Sequence, residues 1–263
     1  MKKIMFIILI AVAASINSAG ASEWQFVDTY IGGGYDVGAY GSKYYQKGGD
    51  VISQTKRINN FDIDGMTVSI DDNGKVLVTI LTDYNQTNGL GTKYGDLFIS
   101  TNGWNPAGTI ADGYMGDTYS ALGEDWEYAF NTTSGIIYDI RGVQTNSILL
   151  SDDIHGPGNP HWYRHDQEVL IDPNKGAISS GQGTFSNPSA EILYAFDLSS
   201  LGIALGDGYD LGFRWSMTCA NDIIEVGGIT KAAVPEPTTM ILLGIGLLSA
   251  SAFGRKKQIK VIK

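Results

Sequence analysis

Phe61-Asp-Ile-Asp-Gly-Met-Thr-Val-Ser-Ile70, then Asp71-Asp-Asn-Gly74, then Lys75-Val-Leu-Val-Thr-Ile-Leu-Thr-Asp-Tyr84 decides the fold class. Both flanks alternate apolar and polar residues, and the four residues between them are turn formers. Val76, Val78 and Ile80 share one face of the second flank, because successive side chains of a strand point to opposite sides. Asn73-Gly74 is the dipeptide favoured by a type I′ turn, so a hairpin closed at Asn73-Gly74 is expected.

The same pattern recurs on both sides. Strands are expected over residues 24–31, 96–100, 125–130, 136–140, 147–150 and 168–171. In the stretch 125–130, Trp126, Tyr128 and Phe130 fall on one face with Asp125 and Glu127 opposite. Ile192, Tyr194, Phe196 and Leu198 repeat the alternation. So do Phe213, Trp215, Met217 and Cys219, with Arg214, Ser216 and Thr218 opposite. Gly is frequent, with 34 in the chain, and no long stretch has a 3.6-residue apolar period. About ten short strands without a substantial helix predict an all-β protein, a single jelly-roll-like β-sandwich over residues 22–233.

The segments outside that range read as addresses. Met1-Lys2-Lys3 precedes an apolar run to Ala14, and Ala19-Gly20-Ala21 is a small-x-small cleavage site before Ser22. Residues 1–21 therefore read as a secretory signal peptide, cleaved at Ala19 and Ala21 by the export machinery. Val234-Pro235-Glu236-Pro237 is held extended by its prolines. The uncharged run 240–253 would reach roughly 21 Å as a helix, short of a hydrocarbon core of about 30 Å. It suits a temporary transmembrane helix, with basic side chains snorkelling. Arg255-Lys256-Lys257 follows, then a basic tail over 258–263. These basic residues predict a cytoplasmic C-terminal side.

Motif, apolar run and basic cluster, in that order over residues 234–257, resemble the PEP-CTERM sorting signal of exopolysaccharide-producing Gram-negative bacteria. The resemblance implies processing by exosortase near Pro235-Glu236-Pro237, transient insertion in the inner membrane after Sec export, and sorting to the cell surface or extracellular matrix. It implies no activity for the body. The stretch Trp215-Ser-Met-Thr-Cys-Ala-Asn-Asp-Ile-Ile-Glu225 also resembles a strand shared by many PEP-CTERM proteins.

Two Lys precede the body and five Lys/Arg follow it, which leaves it 11 of the chain's 18 Lys/Arg. All but one of the 28 Asp/Glu lie within it, so its formal charge is −16. Such a surface repels nucleic acid, and repels anionic polysaccharide unless divalent cations bridge the two. Cys219 is the single cysteine, so no intramolecular disulfide forms. Its place in an apolar alternation marks it as core.

Three groups of residues are candidates for chemistry. All three histidines lie within eleven residues, at His155, His161 and His165, flanked by Asp152, Asp153, Asp166 and Glu168. Imidazole with carboxylate suits a transition metal such as Zn²⁺. A ligand loop using Trp162 and Tyr163, or a plain solvated loop, fits the same residues. Asp62, Asp64, Asp71 and Asp72 put hard oxygen ligands in turns, as calcium prefers, though simple turn formation also explains them. Asn221, Asp222 and Glu225 are placed to cap or crosslink the final strands. No phosphate loop, Gly-x-Ser-x-Gly elbow or His-Glu-x-x-His motif is present.

The leading reading is a non-catalytic exported surface or matrix protein. The second is a jelly-roll carbohydrate-binding module holding exopolysaccharide on Trp104, Tyr114, Trp162 and Tyr163, all in predicted loops. The third is a glycan-active hydrolase, which needs two facing carboxylates; Glu124 and Glu127 are one such pair.

Overall fold

A computed structural model describes residues 21–32, 45–46, 51–52, 61–86, 91–114, 116–119, 125–155, 163–233, 245 and 247. Among these the strands run β1 (Ser22–Val27), β2 (Tyr45–Gln46), β3 (Val51–Ile52), β4 (Ile63–Ile70) and β5 (Lys75–Thr82). Then come β6 (Leu97–Ser100), β7 (Tyr128–Phe130), β8 (Ile136–Asp139), β9 (Ile148–Leu150) and β10 (Glu168–Ile171). The last are β11 (Ile178–Gln182), β12 (Thr184–Ser186), β13 (Glu191–Asp197), β14 (Tyr209–Ser216) and β15 (Ile223–Lys231).

β4 and β5 form the expected hairpin, with Val68 opposite Val78 and Ile70 opposite Val76. The turn differs from type I′. Gly74 has φ +79° while Asn73 stays at negative φ, and the Gly74 N–H bonds back to the Asp71 carbonyl at 3.0 Å. Asp71 causes this: its Oδ1 accepts from the Asn73 and Lys75 amides at 2.9 and 2.8 Å. An Asp side chain that mimics a turn carbonyl favours a type I turn closed by a left-handed glycine.

Two antiparallel sheets pack face to face. One has the order β1-β4-β5-β13-β12, the other β11-β8-β7-β6-β14-β15. The expectation of an all-β sandwich is met. The inner faces supply the core, including Val68, Val78, Tyr194, Phe196, Phe213 and Trp215. Each such side chain contributes about 1.5–3 kcal/mol by leaving water. The Trp215 indole crosses between sheets to donate to the Tyr194 hydroxyl at 2.8 Å, so the largest core ring leaves its polar atom satisfied. Cys219 is buried in this core, and burial pushes its thiol up to about 12.

The six-stranded sheet is covered on its outer face as well. There Phe98, Trp126, Ala129, Ile140, Ile148 and Ile171 form a second apolar cluster under the β9–β10 ribbon. This corrects the expectation for residues 125–130. The strand is only Tyr128–Phe130, and Trp126 packs on the outer face beside Phe98, away from Tyr128 and Phe130 in the main core. The outer layer offers Trp126 a buried site, and that burial outweighs strict alternation.

The leader residues 1–20, including Ala19, lie outside the described residues, as do Val234, Pro235, Glu236, Pro237, Arg255, Lys256 and Lys257. Of the expected apolar helix only Ile245 and Leu247 are described, both helical and exposed. Among the described residues no helix is long and apolar enough to cross a membrane.

Candidate ligand-binding cleft

A cleft of about 300 Å³ opens where the end of β1 meets β15. Its wall is a triangle of aromatic rings. Tyr30 stacks on Tyr114 with centroids 5.8 Å apart, Trp104 meets Tyr114 edge-on at 5.5 Å, and Tyr30 meets Trp104 at 6.2 Å. Tyr30 is buried, while Trp104 and Tyr114 are half-buried. The mouth is rimmed by Val27 and Ile110, which are 79% and 83% exposed. Glu225 and Asp28 also line it.

Local backbone features place these rings. The register between β14 and β15 slips between Leu211 and Phe213, so Gly227 and Gly228 together oppose Gly212. This is a β-bulge, which re-aims a strand, and Gly228 has φ +74°. Gly227 is required here for space: a Cβ on it would lie 2.0 Å from the Trp104 Cβ. The indole can therefore lie against bare backbone. Tyr114 has φ +56°, a left-handed conformation that a tyrosine adopts at a cost. It follows the 3₁₀ turn Ile110–Asp112 and is held by its amide bonding to the Thr109 carbonyl at 3.0 Å.

Beneath the rings lies a buried charge cluster. Arg214 projects from the outer face of β14 yet is only 2% exposed. It donates to Glu225 Oε1 and to Gln167 Oε1 at 2.8 Å, and lies 3.4 Å from Glu168 Oε2. Glu225 Oε2 accepts from the Trp104 indole N–H at 3.1 Å. The Tyr30 hydroxyl donates to Asp117, whose other oxygen accepts from the Ala107 amide at 2.9 Å. Burial pushes the Glu225 carboxyl up to about 7; Arg214 opposes the rise, and Asp117 and Glu168 reinforce it. Burial likewise raises Glu168 and, with help from Glu225 and Asp117, the Tyr30 phenol.

The other candidates lie away from this cleft. Tyr163, expected in a ligand loop, is 2% exposed and belongs to the main core. Its ring sits 5.6 Å from His155 and 4.6 Å from His165, so both imidazoles pack on the tyrosine. His155 Nε2 pairs with the Thr218 carbonyl at 3.1 Å, and His165 Nδ1 with Asp152 Oδ1 at 2.6 Å. Burial lowers the His155 pKa. His161 and Trp162 lie outside the described residues.

Asp62 and Asp64 stand at one end of β4, Asp71 and Asp72 at the other. Eight residues at about 3.3 Å each put the two pairs some 25 Å apart, so they share no ion. Among the described residues no three His, Cys, Asp or Glu side chains are grouped to hold a metal. Glu127 is buried and accepts from Thr101, Asn102 and Ser100, while Glu124 lies outside the described residues. Asp222 accepts from the Ile63 amide at 2.7 Å and so ties the β14–β15 turn to β4.

Trp104 and Tyr114 were legible as loop aromatics. Tyr30 was hidden inside an expected strand, and its partner Asp117 is 87 residues away in the chain. Residues 224–227 of β15 line the cleft, and β15 ends two residues before a recognisable segment. Residues 233–257 match the PEP-CTERM protein-sorting motif. The motif implies processing by exosortase and indicates export to the cell envelope or surface. No curated protein and no solved structure matches the chain.

Proposed function

We propose that this exported surface protein is a non-catalytic glycan-binding module of the extracellular matrix, and that it holds exopolysaccharide in the Trp104–Tyr114 cleft. The observation that carries this is the ring triangle of Tyr30, Trp104 and Tyr114 at an open cleft with apolar Val27 and Ile110 at its mouth. Pyranose rings have apolar faces that stack on aromatic side chains, and their hydroxyls need carboxylate acceptors of the kind Asp28 and Glu225 provide. Of the loop aromatics Trp104, Tyr114, Trp162 and Tyr163, this reading uses Trp104 and Tyr114 and adds Tyr30; Tyr163 is in the core, and Trp162 lies outside the described residues. Delivery follows the route expected from the sequence, by Sec export and transient inner-membrane insertion.

The full chain, tested by glycan array and by pull-down on exopolysaccharide, should bind. Trp104→Ala and Tyr114→Ala should each weaken binding by about tenfold or more, as hot-spot aromatics do. Binding that survives both substitutions, or no binding to any glycan, overturns the reading. A hydrolase is the second reading, favoured by Glu225, a carboxyl held near neutral pH as a general acid requires. Release of new reducing ends from a bound glycan, lost in Glu225→Gln, would establish it.

A further inference from the structure

The chemistry of the cleft narrows its ligand. Asp28 and Glu225 are among its lining residues, and no Lys, Arg or His lines it among the described residues. Behind the wall, the Arg214 guanidinium stands against Glu225 and Glu168, with Asp117 alongside. The faces of Trp104 and Tyr114 add the negative potential of two π systems. The three carboxylates of Glu225, Glu168 and Asp117 outnumber the one Arg214 guanidinium, and with Asp28 at the lining the local balance favours positive charge and repels a uronate or a sulfated sugar.

We propose that the cleft selects a cationic glycan, one whose hexosamine carries a free amino group, with the ammonium held between Glu225, Asp28 and the Trp104 ring. This rests on the glycan reading above. The sugar's apolar face meets Tyr114 and the rim at Val27 and Ile110, and its ammonium stands against the carboxylates that line the cleft. Acetylation of the amine removes the charge and with it the preference. A glycan of this class also complements a body whose formal charge is −16, so the whole surface steers it toward the cleft.

Binding of the cation is coupled to a proton. Arg214 on β14, Glu168 on β10, Asp117 on the 101–119 loop, and the Tyr30 and Trp104 side chains are the groups that face Glu225. Burial favours the protonated form of Glu225, and Arg214 opposes that. An ammonium beside it stabilises the carboxylate, so the proton leaves as the ligand enters.

The test is calorimetry of the full chain with three matched oligosaccharides, built from glucosamine, N-acetylglucosamine and glucuronic acid. Glucosamine oligomers should bind about tenfold or more tighter than the acetylated ones, glucuronate oligomers should bind least, and the enthalpy should vary with the buffer's protonation heat. Asp28→Asn and Glu225→Gln should each shrink the ratio of glucosamine to N-acetylglucosamine affinity. Equal binding of the free and acetylated oligomers overturns the cationic selection and leaves the glycan reading standing. Binding of none of the three, with none on a wider glycan array, overturns the glycan reading itself.

Discussion

Arg214 and Glu225 are directly opposite one another in the register of β14 and β15, and their side chains pair on the outer face of the sheet, out of water. A cross-strand pair of this kind would contribute little on an exposed face. Here the covering loops make it costly to break, because removing the cation leaves Glu225 and Glu168 buried together. Arg214→Met should destabilise the fold by about 3–5 kcal/mol, read from the denaturant midpoint. A loss under about 1 kcal/mol would mean that water reaches the cluster.

The pH dependence of stability has a definite sign. Glu225 is raised from its ordinary 4.5 to about 7, and buried Asp96 from 3.8 to about 6, in both cases chiefly by burial. The folded state therefore holds protons that the unfolded chain has lost. The resulting stabilisation is full below about pH 4 and disappears as pH rises through 6 and 7. Thermal melts should show the midpoint falling from pH 5 to pH 8, and Glu225→Gln should flatten the upper part of that fall. A midpoint that climbs over this range would contradict the assignment.

Gly227→Ala tests whether the bulge serves Trp104. The added methyl would meet the Trp104 Cβ at 2.0 Å, so the indole must move off β15. Overpacking of this kind costs about 1–3 kcal/mol. Glycan affinity should fall as far as in Trp104→Ala, with a shift in tryptophan emission. Unchanged affinity would show that the ring's position on the strand is immaterial.

Trp215→Phe removes the bond from the indole to Tyr194 and leaves a void between the sheets. The expected loss is about 2–4 kcal/mol. Cleft binding should be retained at temperatures where the protein stays folded, since Trp215 faces the opposite side of β14 from Arg214. Loss of binding in a folded Trp215→Phe protein would place the ligand elsewhere.

The inner sandwich was readable from sequence because period-2 alternation is a local signal. Val76, Val78 and Ile80, or Tyr194 and Phe196, declare their face within one strand. The outer layer carries no such signal. Arg214 alternates onto the face opposite Phe213, and nothing near it or Glu225 in sequence says that Trp104, Asp117 and the β9–β10 ribbon will cover that face. Trp126 was assigned to the wrong face for the same reason. Part of the cleft was visible, in Trp104 and Tyr114 as loop aromatics and in Glu225 as a crosslink of the final strands. Tyr30 and Asp117 meet only through tertiary structure. Of the histidine grouping, the described residues place His155 and His165 each against the Tyr163 ring, while His161 lies outside them.

β15 has one more property. It carries Glu225 and Gly227 at the cleft, ends at Lys231, and leads at once into residues 233–257. Tension between a glycan held at the cleft and an anchor at the sorting segment would travel along this single strand through six residues, without passing through the rest of the sandwich. In mechanical terms the proposed grip and the sorting segment would sit on the same short rod.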